Sequence, residues 1–148
     1  MLPTSKDVAQ YILEKQGEMT TIKLQKLVYY CQAWGLVWTE SPLFDERIEA
    51  WANGPVAPDL YSAHRGMFSL SSSSGIGSSG RLSERDKQVA DSVLRTYGDK
   101  TAQWLVQLTH MEPPWKDTRA AAYAAPGERC DEEITRASMA EYYSGLIR

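Results

Sequence analysis

His110 and Glu112, two residues apart in Leu108-Thr109-His110-Met111-Glu112-Pro113-Pro114-Trp115, are the one pair in local sequence that could shuttle a proton. No nucleophile, orienting carboxylate or metal-binding cluster accompanies them, so a reaction lacks its other participants. A histidine in the last turn of a helix also meets the carbonyl end of that helix, and a glutamate before two prolines anchors a turn. That structural reading is the stronger one. Cys31 falls in the apolar stripe of a helix, where a thiol behaves as a small hydrophobe. Cys31 and Cys130 form no Cys-x-x-Cys pair, and only two histidines are present, so a zinc site lacks its ligand spacing. The Ser/Gly run at 69–80 has no Lys-Ser or Lys-Thr to make a phosphate loop. The chain reads as a protein that is not an enzyme and needs neither metal nor cofactor.

Binding chemistry is better represented. Lys23, Lys26 and Tyr30 recur at i, i+3, i+7 on one flank of the helix running from Lys23 to Trp34. With Trp51 nearby, that flank and the Asn53-Gly54-Pro55 region are expected to form an amphipathic contact surface, aromatic anchors ringed by charge. Five Trp and eight Tyr against two Phe favour rings with a polar edge, which suit an interface or a small core packed with large side chains.

Periodicity supplies the elements that must position these residues. Leu24, Leu27, Val28, Cys31, Trp34 and Trp38 make one helical stripe, while Ile22, Tyr29, Ala33 and Leu36 point to the far side and require a second cover. Ser5 is expected to cap a first helix that Gly17 ends, and Thr20 or Thr21 a second that runs to about Thr39. Arg47 to Ala52 alternates as a weak strand up to the Asn53-Gly54-Pro55 turn, and Pro58 opens a helix carrying Leu60 and Tyr61. Ser69 to Gly80 reads as a flexible, solvated loop. Ser83 caps a helix that Gly98 ends; Thr101 begins another that Pro113-Pro114 stops at Glu112. Ala120 to Ala125 adds a helical turn, and Thr135 caps a last helix with Met139, Tyr142, Tyr143 and Leu146 inward. The fold predicted for residues 1–148 is mainly α, one domain of about six helices with a small β-hairpin or strand near 47–56.

A net charge of −3 opposes binding to nucleic acid or an anionic membrane, and no apolar run is long enough to span a bilayer. The amino-terminal residues carry no secretory apolar region, so the cytoplasm is the expected compartment. One DNA-binding alternative remains at this stage. Gln16-Gly17-Glu18-Met19-Thr20-Thr21 joins the first two helices as a helix-turn-helix would, with Thr21, Lys23, Gln25 and Lys26 at the start of the reading helix.

Three ordered blocks, Lys23 to Trp34, Trp51-Ala52-Asn53-Gly54-Pro55-Val56-Ala57-Pro58-Asp59-Leu60-Tyr61 and Leu108 to Trp115, together resemble the Panacea-domain family of SocA-like antitoxins, also labelled phage-associated or GepA-like proteins. The resemblance spans roughly Val8 to Tyr143. It implies a small cytoplasmic bacterial or phage protein that neutralises a cognate toxin by binding it. Some relatives instead deliver the toxin to a AAA+ protease such as ClpXP. Matching positions are Lys23, Leu24, Lys26, Leu27, Tyr29 and Tyr30, then Trp51, Gly54, Pro55 and Tyr61, then Thr109, His110, Glu112 and Trp115. From these and the contact surface above, the expected partner-binding residues are Lys23, Lys26, Tyr30, Trp51, Asn53, Gly54, Pro55, Tyr61, His110, Glu112 and Trp115. The Ser/Gly loop has no counterpart in the three blocks.

Overall fold

The computed structural model describes residues 1–147. In chain order the elements are α1 (Ser5–Gln16), β1 (Met19–Thr20), α2 (Thr21–Thr39), β2 (Ile48–Trp51), β3 (Gly54–Val56), α3 (Pro58–His64), β4 (Ser69–Leu70), α4 (Glu84–Tyr97), α5 (Ala102–Met111), α6 (Pro113–Ala121), β5 (Glu133–Ile134) and α7 (Arg136–Gly145), with short 3-10 turns at Ser72–Ser74 and Ser79–Arg81. The fold is mainly α, as expected.

Apolar residues crowd more than one face of α2, so this helix must be enclosed. Every residue from Leu24 to Gly35 is buried, with α1, α4, α5, α7 and β3 packed around it. Gly35 leaves room for the Leu43 side chain: a Cβ there would sit 2.1 Å from Leu43 Cδ1, which would have to shift. The caps follow the sequence closely. Thr20, Ser83, Thr101 and Thr135 each accept a backbone N–H from the first turn of α2, α4, α5 and α7. In α1 the cap is Thr4, one residue earlier than expected, and Asp7 completes a capping box.

β2 and β3 pair antiparallel across Ala52-Asn53, so Gly54 and Pro55 lie inside a strand, not in the turn. β5 joins the other edge of β2, giving the order β3-β2-β5, and β1 pairs with β4 in a second small sheet. The structure departs from expectation at Pro113-Pro114. These prolines end α5, but they also occupy the first turn of α6, where a missing N–H costs nothing. The described residues thus form seven helices, in keeping with the expected number of about six, and the helical turn expected at 120–125 begins in the last residues of α6.

The Ser/Gly segment lies along α1, whose Asp7, Gln10 and Glu14 share a face at i, i+3, i+7, while Ser72 to Gly75, Ser78 and Gly80 stay exposed to solvent. Asp7 Oδ1 accepts from Ser78 N at 2.8 Å, Gln10 Nε2 donates to Ser72 O at 2.9 Å, and Glu14 accepts from Ser79 Oγ at 2.7 Å. Small residues permit this closeness: a Cβ on Gly77 would fall 2.3 Å from the backbone oxygen of Lys6. Gly77→Ala should therefore cost about 1–3 kcal/mol and accelerate amide exchange at Ile76 and Ser78. Unchanged exchange at those amides would mean that α1 does not hold the segment.

Candidate partner-binding site

The three sequence blocks meet at one place, where the first half of α2 faces the β2–β3 hairpin and the α5–α6 junction. Lys26 is the contribution of α2 to this meeting point. Its side chain is 2% exposed, and its Nζ donates to the carbonyl of Pro55 at 3.2 Å. Burial lowers its pKa to about 7, because a desolvated ammonium loses its hydration without gaining an opposite charge. Gly54, at φ +119°, lets the hairpin pack against the stem of this side chain; a Cβ would sit 2.6 Å from Lys26 Cε.

The hairpin is clamped from below by α6. Trp115 Nε1 donates to Trp51 O at 2.8 Å, and Arg119 donates to Ala50 O at 3.0 Å. The Trp115 ring stacks on His110 with centroids 3.9 Å apart, while the Arg119 guanidinium lies over its indole. The imidazole of His110 is held below its ordinary pKa chiefly by burial, and its Nε2 has no hydrogen-bond partner. No nucleophile is paired with it, so the arrangement resembles an aromatic brace more than an acid–base centre.

Glu112, two residues on, points into the core. One of its carboxylate oxygens accepts from Tyr30 and from Tyr143, both at 2.7 Å, and Tyr29 bonds to Tyr143 at 3.0 Å. Tyr30 also stacks on Tyr97, whose hydroxyl accepts from Trp34 Nε1. Burial raises the Glu112 pKa, and the two tyrosine donors partly offset that. This network joins α2, α4, α7 and the α5–α6 junction.

Outside the brace lies a cleft of about 650 Å³, lined by the first turns of α2, by the hairpin, by α3 and by residues 127–131. Trp51 and Tyr61 meet edge to face with centroids 4.9 Å apart and form an aromatic wall. Gln25 and His64 close the inner end: Gln25 Nε2 donates to His64 Nε2 at 3.0 Å, and Gln25 Oε1 accepts from Ala57 N at 2.9 Å. Beside the mouth, Ile22, Met67 and Phe68 are 46%, 47% and 78% exposed. Thr21 holds them together, its N–H donating to Phe68 O at 3.0 Å and its hydroxyl to Met67 O.

A family model described as "Antitoxin SocA-like, Panacea domain" matches residues 24–116. The chain belongs to this family. No curated protein and no solved structure matches it. The matched segment of the Panacea domain runs from α2 into α6 and so contains the His110–Trp115 stack, whereas Arg119, α1, α7 and the 127–131 side of the cleft lie outside it. An antitoxin role follows from the family, and with it a toxin partner in general terms.

The Panacea domain places its sequence-predicted residues unevenly. Asn53 is exposed, and Trp51, Tyr61, His110 and Trp115 are half-buried. Gly54, Pro55 and Glu112 are buried. The exposed flank expected of Lys23, Lys26 and Tyr30 is corrected by the structure: Lys26 and Tyr30 are interior, and Lys23 is half-buried with its Nζ on Gly98 O at 2.7 Å, at the carbonyl end of α4. The hairpin and the turn between α4 and α5 cover that flank. The same burial undoes the DNA-reading alternative, because Gln25 and Lys26 face inward and Thr21 is committed to the Met67-Phe68 carbonyls. The sequence gives no sign of the site roles of His64, Arg119 and Tyr143, and marks Gln25 only as a DNA-reading candidate, since each acquires its role from a partner at least 31 positions away or from carbonyls that leave no sequence mark. Among the described residues no group of His, Cys, Asp and Glu is placed to hold a metal ion, and no helix is long and apolar enough to cross a membrane.

Proposed function

We propose that this Panacea-domain protein is a cytoplasmic antitoxin that neutralises a cognate toxin by direct stoichiometric binding and catalyses no reaction. The observation that carries this reading is the exposure of three large apolar side chains, Ile22, Met67 and Phe68, beside an aromatic-walled cleft. Apolar anchors next to a cavity favour a partner that desolvates them, and the neighbouring Arg65 adds a polar rim. The deep residues of the three blocks then act as a frame that holds the hairpin and cleft in shape.

Co-expression with candidate toxins encoded beside this gene tests the reading: growth is rescued from one of them, and the two chains co-purify. Phe68→Ser is expected to weaken toxin binding at least tenfold while leaving the thermal midpoint within about 2 °C, since the side chain is mostly in water. Rescue without any physical complex would refute neutralisation by binding. Toxin that vanishes only in cells with a AAA+ protease such as ClpXP would mean delivery for degradation through the same contact, rather than occlusion.

A further inference from the structure

We propose that the cleft is a recognition pocket for a peptide-borne carboxylate, which seats on Lys26 Nζ between Arg65 and Arg129. This inference rests on the toxin-binding reading and assigns the chemistry of the toxin segment that enters the cleft.

An ammonium carries three donors, and Lys26 uses one, on Pro55 O. Among the described residues no carboxylate pairs with it, and the unpartnered Nε2 of neighbouring His110 brings no negative charge. Gln25 is saturated by Ala57 and His64, and Nε2 of His64 is taken by Gln25. A buried cation without a counter-charge is costly, and the cleft leaves room for one to be brought in. The remaining charges favour an anion. Arg65 and Arg129 line the cleft with Lys26, against Glu49 and Asp131. Glu49 is already held by Arg47 Nε at 3.0 Å and by Trp51 Nε1 at 2.8 Å. The first turn of α2, also in the lining, contains no acidic residue to neutralise the positive end of the helix. A chain of net charge −3 thus keeps a locally cationic hollow.

Size and wall chemistry select a peptide over a bare ion. About 650 Å³ is in the range of sites that hold several residues or a drug-sized molecule, and a Trp51–Tyr61 wall packs aliphatic or aromatic side chains next to the charge. An extended segment carrying Glu or Asp, or ending in its own α-carboxylate, supplies both parts. A carboxylate on a desolvated amine forms a charge-assisted bond of the strong class.

The test uses the full chain labelled at lysine Cε and followed by NMR, with three probes: acetyl-Leu-Glu-Leu-amide, acetyl-Leu-Gln-Leu-amide and acetyl-Leu-Gln-Leu with a free carboxyl terminus. At millimolar concentration the Lys26 signal is expected to move with a carboxylate-bearing peptide, and the all-amide peptide to bind at least tenfold more weakly. Which of the two carboxylate peptides binds identifies the source. Read by calorimetry, which does not depend on the Lys26 signal, Lys26→Met should abolish binding of the carboxylate peptides, and Arg129→Ser, on an exposed side chain, should weaken it severalfold with the fold intact. Equal binding of the amide peptide, binding that survives Lys26→Met, no movement of Lys26 with any peptide, or displacement of peptide by equimolar inorganic phosphate would each overturn the proposal. Measuring the toxin in parallel separates the two readings. Toxin bound equally by wild type and Lys26→Met removes the carboxylate seat and leaves neutralisation standing, whereas toxin bound by neither removes neutralisation while the peptides still judge the cleft.

Discussion

Lys26→Met is expected to make the protein more stable by about 2–4 kcal/mol at pH 6, a gain that shrinks as the pH rises and is gone by about pH 9. The amine titrates near 10.5 in the unfolded chain and near 7 in the folded one. Between those values the unfolded state holds a proton that the folded state lacks, so stability rises with pH. The stability is therefore lowest below about pH 7, where both states are protonated and the full desolvation cost of the ammonium applies. At roughly 1.4 kcal/mol per pH unit, that interval corresponds to about 5 kcal/mol, part of which methionine forfeits by leaving Pro55 O without a donor. Above about pH 9 both proteins lose stability together, because burial pushes the Cys31 thiol up from 9.0 and an unfolded thiol then ionises first. Urea unfolding of both proteins from pH 6 to 9 measures the difference. Parallel curves would show that the buried amine is no liability.

Glu112→Ala should be the most damaging substitution outside the purely apolar core, at about 3–5 kcal/mol. It strands two buried hydroxyls, those of Tyr30 and Tyr143, that share one acceptor, and it opens a gap where α2, α7 and the α5–α6 junction meet. Glu112→Gln keeps a carbonyl oxygen in place and should cost about 1 kcal/mol or less at neutral pH. The two carboxyl states separate the effects further. With a folded pKa raised by burial, the wild type has its full Glu112 contribution below the ordinary carboxyl pKa of 4.5 and loses part of it as pH rises through the folded value. The glutamine variant lacks that loss, so its deficit should be larger at pH 4 than at pH 7. A deficit that grows instead toward neutral pH would mean that the tyrosine donors outweigh desolvation.

What the sequence disclosed about this molecule follows a physical line. Caps, breakers and helical stripes are local, and they placed α2, α4, α5 and α7 to within a residue or two: Thr20, Ser83, Thr101 and Thr135 do the capping expected of them. Pro113-Pro114 misled because the same ring that stops one helix is suited to the first turn of the next. Lys26 and Tyr30 misled because solvent is the default for lysine, and only the hairpin, arriving 29 positions later at Pro55, shows which flank of α2 is covered. The anchoring of the Ser/Gly segment on α1 was not legible, because it uses backbone groups, one serine hydroxyl and the missing side chain of Gly77, none of which a composition displays. The candidate site was half legible. Its three blocks were visible as words, but Tyr30 and Glu112 are 82 residues apart and their bond is a product of topology.

Arg119 has a wider reach than its position in the interior suggests. Its guanidinium gathers the carbonyls of Ala50, Ala125 and Glu128, so the strand on one bank of the hollow and the chain leading to the opposite bank, at 127–131, are tied to a single planar fork. The width of the entrance is thereby gauged from underneath, by a group that no incoming cargo would touch, and a shorter cation there would let the two banks drift apart.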